Sequence, residues 1–292
     1  MPAVSVVVPS FRGGTFLRDA VASVQSQTLE DWELIIVLDG CEDDLSDIER
    51  SDPRVRVIKQ RNRGESIARN VGIADARSEL VAFLDDDDRM LPQQLQAQLG
   101  AMRDESTVLC HTQFRLIDGS GATIGEGRST DSQYRDFLRG DGKILISSAM
   151  TRRVLLQEVG GFNPLLPLGA DLDFLYRIAR EGTVCFLPDV LAEYRFHGAN
   201  IWLNTGSGGE AYKLILRQHL FVAQARGEGA NVRAIRRGMT LVPSGPAAQA
   251  IRRAVDARER HDTLKMLGAL AVALLLSPRA TAKLSLKQAR NR

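Results

Sequence analysis

The sequence predicts an α/β fold built on a mostly parallel sheet. Val4-Ser5-Val6-Val7-Val8, Leu34-Ile35-Ile36-Val37-Leu38 and Leu80-Val81-Ala82-Phe83-Leu84 are short, nearly unbroken apolar runs. Strands covered on both faces need such runs. Segments of helical periodicity lie between them, and strand, helix, strand at this spacing fits parallel strands joined by crossovers. Two of the runs end directly on acid, at Asp39-Gly40 and at Asp85-Asp86-Asp87-Asp88.

The elements follow in order. The first strand closes on Pro9, and Gly13-Gly14 marks a turn. The next helix carries Phe16, Leu17, Ala20, Val21 and Val24 at helical spacing. A third strand is expected at Val55–Ile58 and a helix at Ser66–Ala76. Leu116–Gly142 is rich in Gly, Ser, Asp and Arg and reads as loop, with a short hairpin around Asp118-Gly119. After Gly160-Gly161-Phe162 a helix starts near Asp171, with Leu172, Leu175, Tyr176 and Ala179 on one face, followed by a strand at Val184–Leu187. From about Asn204 the chain turns helical and basic, with helices at 210–226, 247–260 and 264–276 and linkers at Gly206–Gly209 and Pro243–Pro246. The expected division is an α/β domain over 1–204 and a helical basic extension over 205–292.

Composition narrows the function. The chain has 292 residues, 44% of them hydrophobic, enough for a sizeable core. A net charge of +2 gives no global reason to expect nucleic acid as partner. Cys41, Cys110 and Cys185 are odd in number and widely spaced, which argues against a disulfide framework or zinc site and for a reducing, cytoplasmic setting. No basic segment precedes a long apolar stretch at the N-terminus, so no secretory signal is expected. The longest apolar run, Met266–Leu276, falls short of the roughly 20 residues that span a bilayer. It is followed by Arg279, Lys283, Lys287, Arg290 and Arg292 without an acid. Residues 264–292 therefore suit peripheral contact with the inner face of an anionic membrane, or a helix packed on the core with a frayed basic end.

The acidic cluster carries the chemistry. In open α/β sheets ligands bind beyond the carboxyl ends of the strands, where Asp39 and Asp85 both lie. In an extended segment Asp85 and Asp87 point the same way and repel unless a cation sits between them. A hard divalent cation would do so and would also bind a diphosphate. A solvated acidic turn is the plainer alternative. Glycosidases also pair carboxylates but need neither a nucleotide site nor a metal after a strand. No G-x-S-x-G, H-E-x-x-H or Walker A sequence is present.

Five motifs stand in order. They are Ser5-Val6-Val7-Val8-Pro9-Ser10-Phe11, Ser23–Thr28, Glu33–Gly40, Ala68-Arg69-Asn70-Val71-Gly72 and Phe83–Asp88. Together they resemble glycosyltransferase family 2 over roughly the first two-thirds of the chain, to about Asn200. The resemblance implies a GT-A fold, a nucleoside-diphosphate sugar as donor, Mn2+ or Mg2+ as cofactor, and inverting, hexosyltransferase-like transfer to a glycan or lipid-linked acceptor in polysaccharide biosynthesis. It implies that Asp39 contacts the nucleotide base, that Pro9 and Phe11 line the base and ribose site, and that Arg69 approaches the nucleotide. It makes Asp85 and Asp87 the D-x-D motif, with Asp87 the direct metal ligand. The family commonly has two acids before the glycine of the second strand motif, whereas this chain has Leu38-Asp39.

Gly169-Ala170-Asp171-Leu172-Asp173 resembles the family's acid-rich motif at a helix start, with Ala170 where Glu is common. The resemblance makes Asp171 the catalytic base that takes the acceptor proton. Without it, a helix N-cap is the ordinary role for such an aspartate. Asp173 would assist or face solvent, and Arg177 would be an ion-pair partner. Arg195-Phe196-His197 resembles the final family motif, placing His197 at the diphosphate or metal and Arg195 beside the leaving group. Two rivals follow: a sugar nucleotidyltransferase, for which Arg12-Gly13-Gly14 is a poor phosphate loop, and a non-catalytic nucleotide-sugar-binding protein.

Overall fold

The structure, a computed structural model, describes residues 1–166, 168–197 and 208–241. The helices expected at 247–260 and 264–276, and the basic tail beyond, lie outside the described residues. The chain begins with β1 (Val4–Ser10), α1 (Gly14–Gln25), β2 (Trp32–Asp39), α2 (Ser46–Ser51), β3 (Val55–Gln60), α3 (Glu65–Asp75) and β4 (Leu80–Phe83). The strands stand side by side as β3-β2-β1-β4, all parallel. Every residue of β1, β2 and β4 is buried, the reason they read as apolar runs. Two polar residues inside them are paired: Ser5 donates to Glu33 at 2.6 Å, and Arg56 meets Glu33 at 2.8 Å. The expected stripe on α1 is buried at Leu17, Ala20, Val21 and Val24.

Two positions fix where the strands deliver their ends. A Cβ on Gly72 would overlap the Val7 side chain, so α3 lies against β1 more closely than any other residue would permit. On β1, Val7 offers its carbonyl to Leu84 N–H at 3.1 Å. Two residues on, Pro9 presents the same edge with no N–H to give. The ladder to β4 cannot continue, and the chain after β4 is released to turn.

Next come β5 (Arg89–Met90), α4 (Gln94–Ala101), β6 (Thr107–Ile117), β7 (Thr123–Glu126), α5 (Tyr134–Leu138), a 3-10 turn at Ile146–Ser148, β8 (Ala149–Arg152), α6 (Arg153–Glu158), α7 (Ala170–Ala179) and β9 (Thr183–Arg195). From β4 the sheet runs on through β8, β6 and β9 to β5, with β7 on β6. β8 is antiparallel to β4 and β6, while β9 is parallel to β6. The sheet is thus wholly parallel across its first four strands and mixed beyond. The sequence reading missed β6 and β8 and cut β9 short. These strands carry Thr, His, Gln and Arg among their apolar residues and owe their pairing to distant partners. The expected hairpin is the β6–β7 turn, where Asp118 accepts from the amides of Ser120 and Ala122 at 2.8 and 3.0 Å.

The chain forms two compact units, 1–134 with 142–198, and 135–141 with 199–292. The second unit takes in residues 135–141 from the middle of the chain. There α8 (Gly208–Ala225) and α9 (Gly229–Leu241) are joined by a short link and pack together. Tyr212 donates to the Phe137 carbonyl at 3.0 Å, and Gly238 leaves room for the Leu138 carbonyl. Among the described residues no helix is long and apolar enough to cross a membrane.

Candidate active site

β2 ends on Asp39, which is 2% exposed. Its Oδ1 accepts from Gln60 Nε2 at 2.7 Å and Arg63 N–H at 2.8 Å, and its Oδ2 from Gly64 N–H at 2.8 Å. These bonds fold the link between β3 and α3 back over the strand end. A carboxylate offers about four lone-pair positions, so one remains on Oδ2 for a ligand. Beside it, Pro9 is buried in β1 and Phe11 is 56% exposed just past the strand.

β4 runs into a turn over Asp85–Asp88, closed by Asp88 N–H to the Asp85 carbonyl at 3.2 Å. The extended segment expected here is absent. The turn, rather than strand alternation, gathers Asp85, Asp87 and Asp88, which offer ligand atoms within 4.8 Å of one another. Their partners separate the four acids. Asp88 is fully buried, accepting from Ser147 Oγ at 2.5 Å and Arg195 N–H at 2.9 Å. It fastens the turn to β9 and to the 3-10 turn before β8. Asp86 accepts from Ser10 Oγ at 2.5 Å, and burial pushes its pKa up to about 7. Asp85 Oδ1 meets Arg69 at 2.5 Å. Asp87 Oδ2 meets His197 Nε2 at 2.9 Å, and burial, then the charge of Asp85, raise the Asp87 carboxyl.

Among the described residues, Oδ2 of Asp85 and Oδ1 of Asp87 form no hydrogen bond to another residue. Two open carboxylate oxygens, one on an acid whose ionisation is penalised, fit a hard divalent cation such as Mg2+ or Mn2+. Asp88 lies in the same cluster, but both its oxygens hold the fold.

Arg69 is 3% exposed and stands at the centre of the acids. One NH2 group reaches Glu65 Oε1 and Asp85 Oδ1, each at 2.5 Å, and the guanidinium lies 5.1 Å from the Phe162 ring. The neighbouring carboxylates raise its pKa despite burial. Asn70, the next residue, exchanges two bonds with the Phe162 backbone at 2.8 and 2.7 Å. The Ala68–Gly72 motif is therefore one device: Gly72 seats the helix, Asn70 ties it to the loop before α7, and Arg69 faces the acids.

Asp171 lies in the first turn of α7, but Gly169 is the cap, with φ 75° and no side-chain cap bond. The capping role is thereby excluded. Burial raises the Asp171 pKa, and the Arg69 charge opposes that rise. Asp173, expected to assist or face solvent, is 3% exposed and paired with Arg177 at 2.7 Å. Arg177 in turn donates to the carbonyls of Val159 and Gly161 at 2.6 Å. Asp173 belongs to the support of α7.

Arg195 is a second correction. It is 1% exposed, donates Nε–H to the Asp87 carbonyl at 2.8 Å, pairs with Asp19 at 2.9 Å and lies 4.5 Å over Phe16. It braces the acidic turn instead of facing a leaving group. The His197 ring rests 5.2 Å from Phe16. Sequence reasoning missed Asp19, Ser147, Asp88 as a fastener, and Glu65. Only Glu65 left a local signal, its i,i+4 spacing to Arg69. Glu65 is 54% exposed; the Arg69 charge lowers its pKa, while the charges of Asp85, Asp171 and Asp87 raise it.

A sheet of this order, with acid at the ends of two of its parallel strands and a D-x-D turn, is the GT-A fold of glycosyltransferases. The profile of glycosyl transferase family 2 matches residues 5–159, and the chain belongs to that family. It is 28% identical over 238 residues to the putative teichuronic acid biosynthesis glycosyltransferase TuaG of Bacillus subtilis, covering 76% of this chain and 92% of that one. It is 29% identical over 221 residues to an uncharacterized glycosyltransferase of Nostoc, covering 70% and 68%. The structure of Staphylococcus aureus TarS residues 1–349 with UDP-GlcNAc superposes with a TM-score of 0.62 at 15% identity, covering 94% of this chain and 90% of that one. This last likeness is one of fold.

Proposed function

We propose that this glycosyltransferase moves a sugar, with inversion, from a nucleoside-diphosphate sugar to an acceptor hydroxyl during synthesis of a cell-surface polysaccharide. The observation that carries the reading is the acidic turn at the end of β4, where Asp85, Asp87 and Asp88 offer ligand atoms within 4.8 Å of one another and Arg69 holds Asp85 at 2.5 Å. The Arg69 charge also opposes the rise of the Asp171 pKa, which supports Asp171 as a carboxylate of the same site. The teichuronic acid name of TuaG and the UDP-GlcNAc bound to TarS support the substrate class.

In this reading Asp39 receives the base with the lone pair its structural bonds leave open, between Pro9 and Phe11. Asp87 and Asp85 would hold Mn2+ or Mg2+, and the ion would offset the negative charge of the donor diphosphate. His197, fixed by Asp87 and Phe16, sits where it would steady the departing diphosphate. Asp171 accepts the acceptor's proton as that oxygen bonds to the anomeric carbon and the bond to the diphosphate breaks. A base whose pKa is lifted by burial holds that proton better than a solvated aspartate. The nucleotidyltransferase reading is disfavoured by Gly14, whose amide is taken by the Asp43 carboxylate at 2.7 Å, since an acid repels a phosphate there.

Two substitutions test the assignment together. Asp171→Asn should lower kcat by about 10²- to 10⁴-fold while leaving nucleotide binding intact. Asp87→Ala should remove the manganese dependence of nucleotide binding measured by calorimetry. Near-normal turnover in the first, or unchanged manganese dependence in the second, would sink the corresponding role. A thermal-shift screen of nucleotide-sugars with manganese would identify the base and sugar.

A further inference from the structure

Glu65 stands among the acids of the site, and the transfer mechanism gives it no task. It lies in the first turn of α3, just after Gly64, whose N–H is bound to Asp39. Two ordinary roles suit an acid at that place. It favours the positive end of the helix, and it pairs with Arg69 at i,i+4.

Neither role explains how the pair is made. Arg69 is almost fully buried, and its one Nη2 group serves both Glu65 Oε1 and Asp85 Oδ1, each at 2.5 Å. Among the described residues the Arg69 Nε–H is buried without a hydrogen-bond partner. The guanidinium is thus aimed at the two carboxylates and leaves a donor of its own unused. The charges of Arg69, Asp85, Asp171 and Asp87 all act on the Glu65 carboxylate, so it shares the field of the site.

Charge counting shows what the sharing does. Asp85 alone with Arg69 would be a neutral pair, and a divalent cation would meet a carboxylate already cancelled. With Glu65 on the same Nη2 group, the three side chains together carry one negative charge. Asp87 adds the second carboxylate that such a cation needs.

We infer that Glu65 is a positioning residue: it offsets the Arg69 charge and so keeps the charge of Asp85 available to a divalent cation. The inference rests on the reading of Asp85 and Asp87 as ligands of that cation. Glu65 itself acts only through Arg69.

The test is Mn2+ binding to the full-length protein, read from the electron paramagnetic resonance of the free ion, alone and with UDP or GDP. Glu65→Gln keeps an oxygen to accept from Arg69 and removes the charge. Glu65→Asp keeps the charge and shortens the reach. Glu65→Gln should weaken Mn2+ binding about tenfold, and less so at high salt, while Glu65→Asp stays within about twofold of the wild type. Both variants should melt within about 2 °C of the wild type, because a partly exposed i,i+4 pair adds little stability. A role confined to bracing the helix predicts the opposite order, with Glu65→Asp the weaker binder. That order, or equal Mn2+ binding by Glu65→Gln and the wild type, would overturn the inference and leave Asp85 and Asp87 as ligands. Absence of Mn2+ binding by the wild type, with or without nucleotide, would overturn the inference and the ligand assignment together.

Discussion

Asp171 and Asp173 sit two residues apart on α7 and do different things. Asp173 is 3% exposed and compensated by Arg177, which also holds the two carbonyls of the preceding loop. Among the described residues Asp171 forms no such ion pair, and the Arg69 charge opposes the rise that burial gives its pKa. Asp173→Ala should therefore act on folding, leaving the half-buried Arg177 without its counter-charge at a cost of about 2 kcal/mol. That would appear as a lower Tm, with the turnover of the remaining folded enzyme little changed. His111 gives a pH signature away from the site. It is fully buried on β6 beside Phe186, neither ring nitrogen has a hydrogen-bond partner among the described residues, and burial lowers its pKa to about 4. The unfolded chain takes up the proton near pH 6.5 while the folded one resists until about pH 4. The stability this supplies is present above pH 6.5 and lost as pH falls to about 4. The loss is about 3 kcal/mol, and denaturant melts of His111→Phe should lack that component.

At the scale of elements, the site depends on how closely α3 approaches β1. Gly72 is required for contact with Val7 and not for an unusual backbone angle. Gly72→Ala should cost about 1–3 kcal/mol by overpacking, and should weaken nucleotide binding by lifting Arg69 away from Asp85. Thermal melts and nucleotide titration would read both effects. The acidic turn is a comparable case. Arg195, at the end of β9, and Ser147, before β8, clamp it from two strands distant in sequence. Its D-x-D spacing was legible, but the clamps were not. A buried arginine and a buried serine look no different in sequence from surface ones, and their partners lie 59 to 108 residues away.

At the scale of the whole chain, the boundary is not a single cut. Residues 135–141 leave the first unit to join the second, where Phe137 and Leu138 are almost fully buried. A chain ending at residue 198 keeps every proposed catalytic residue but loses the helices that cover these two. It should melt lower than the full chain and self-associate, measurable by calorimetry and light scattering. Retention of the full Tm would show that the short segment finds other cover.

The sequence by itself determined the parallel half of the sheet, its acidic strand ends and the family. Fully covered strands must be apolar along their length, and a phosphate-and-metal site needs its acids at those ends. Tertiary structure alone decided which acids are open and which are structural. Among the described residues Asp85 and Asp87 each keep an oxygen without a hydrogen bond, Asp88 spends both on the fold, and Asp39 keeps one lone pair. A carboxylate's function follows from the donors around it, and in this chain those donors arrive from strands and helices far along the sequence.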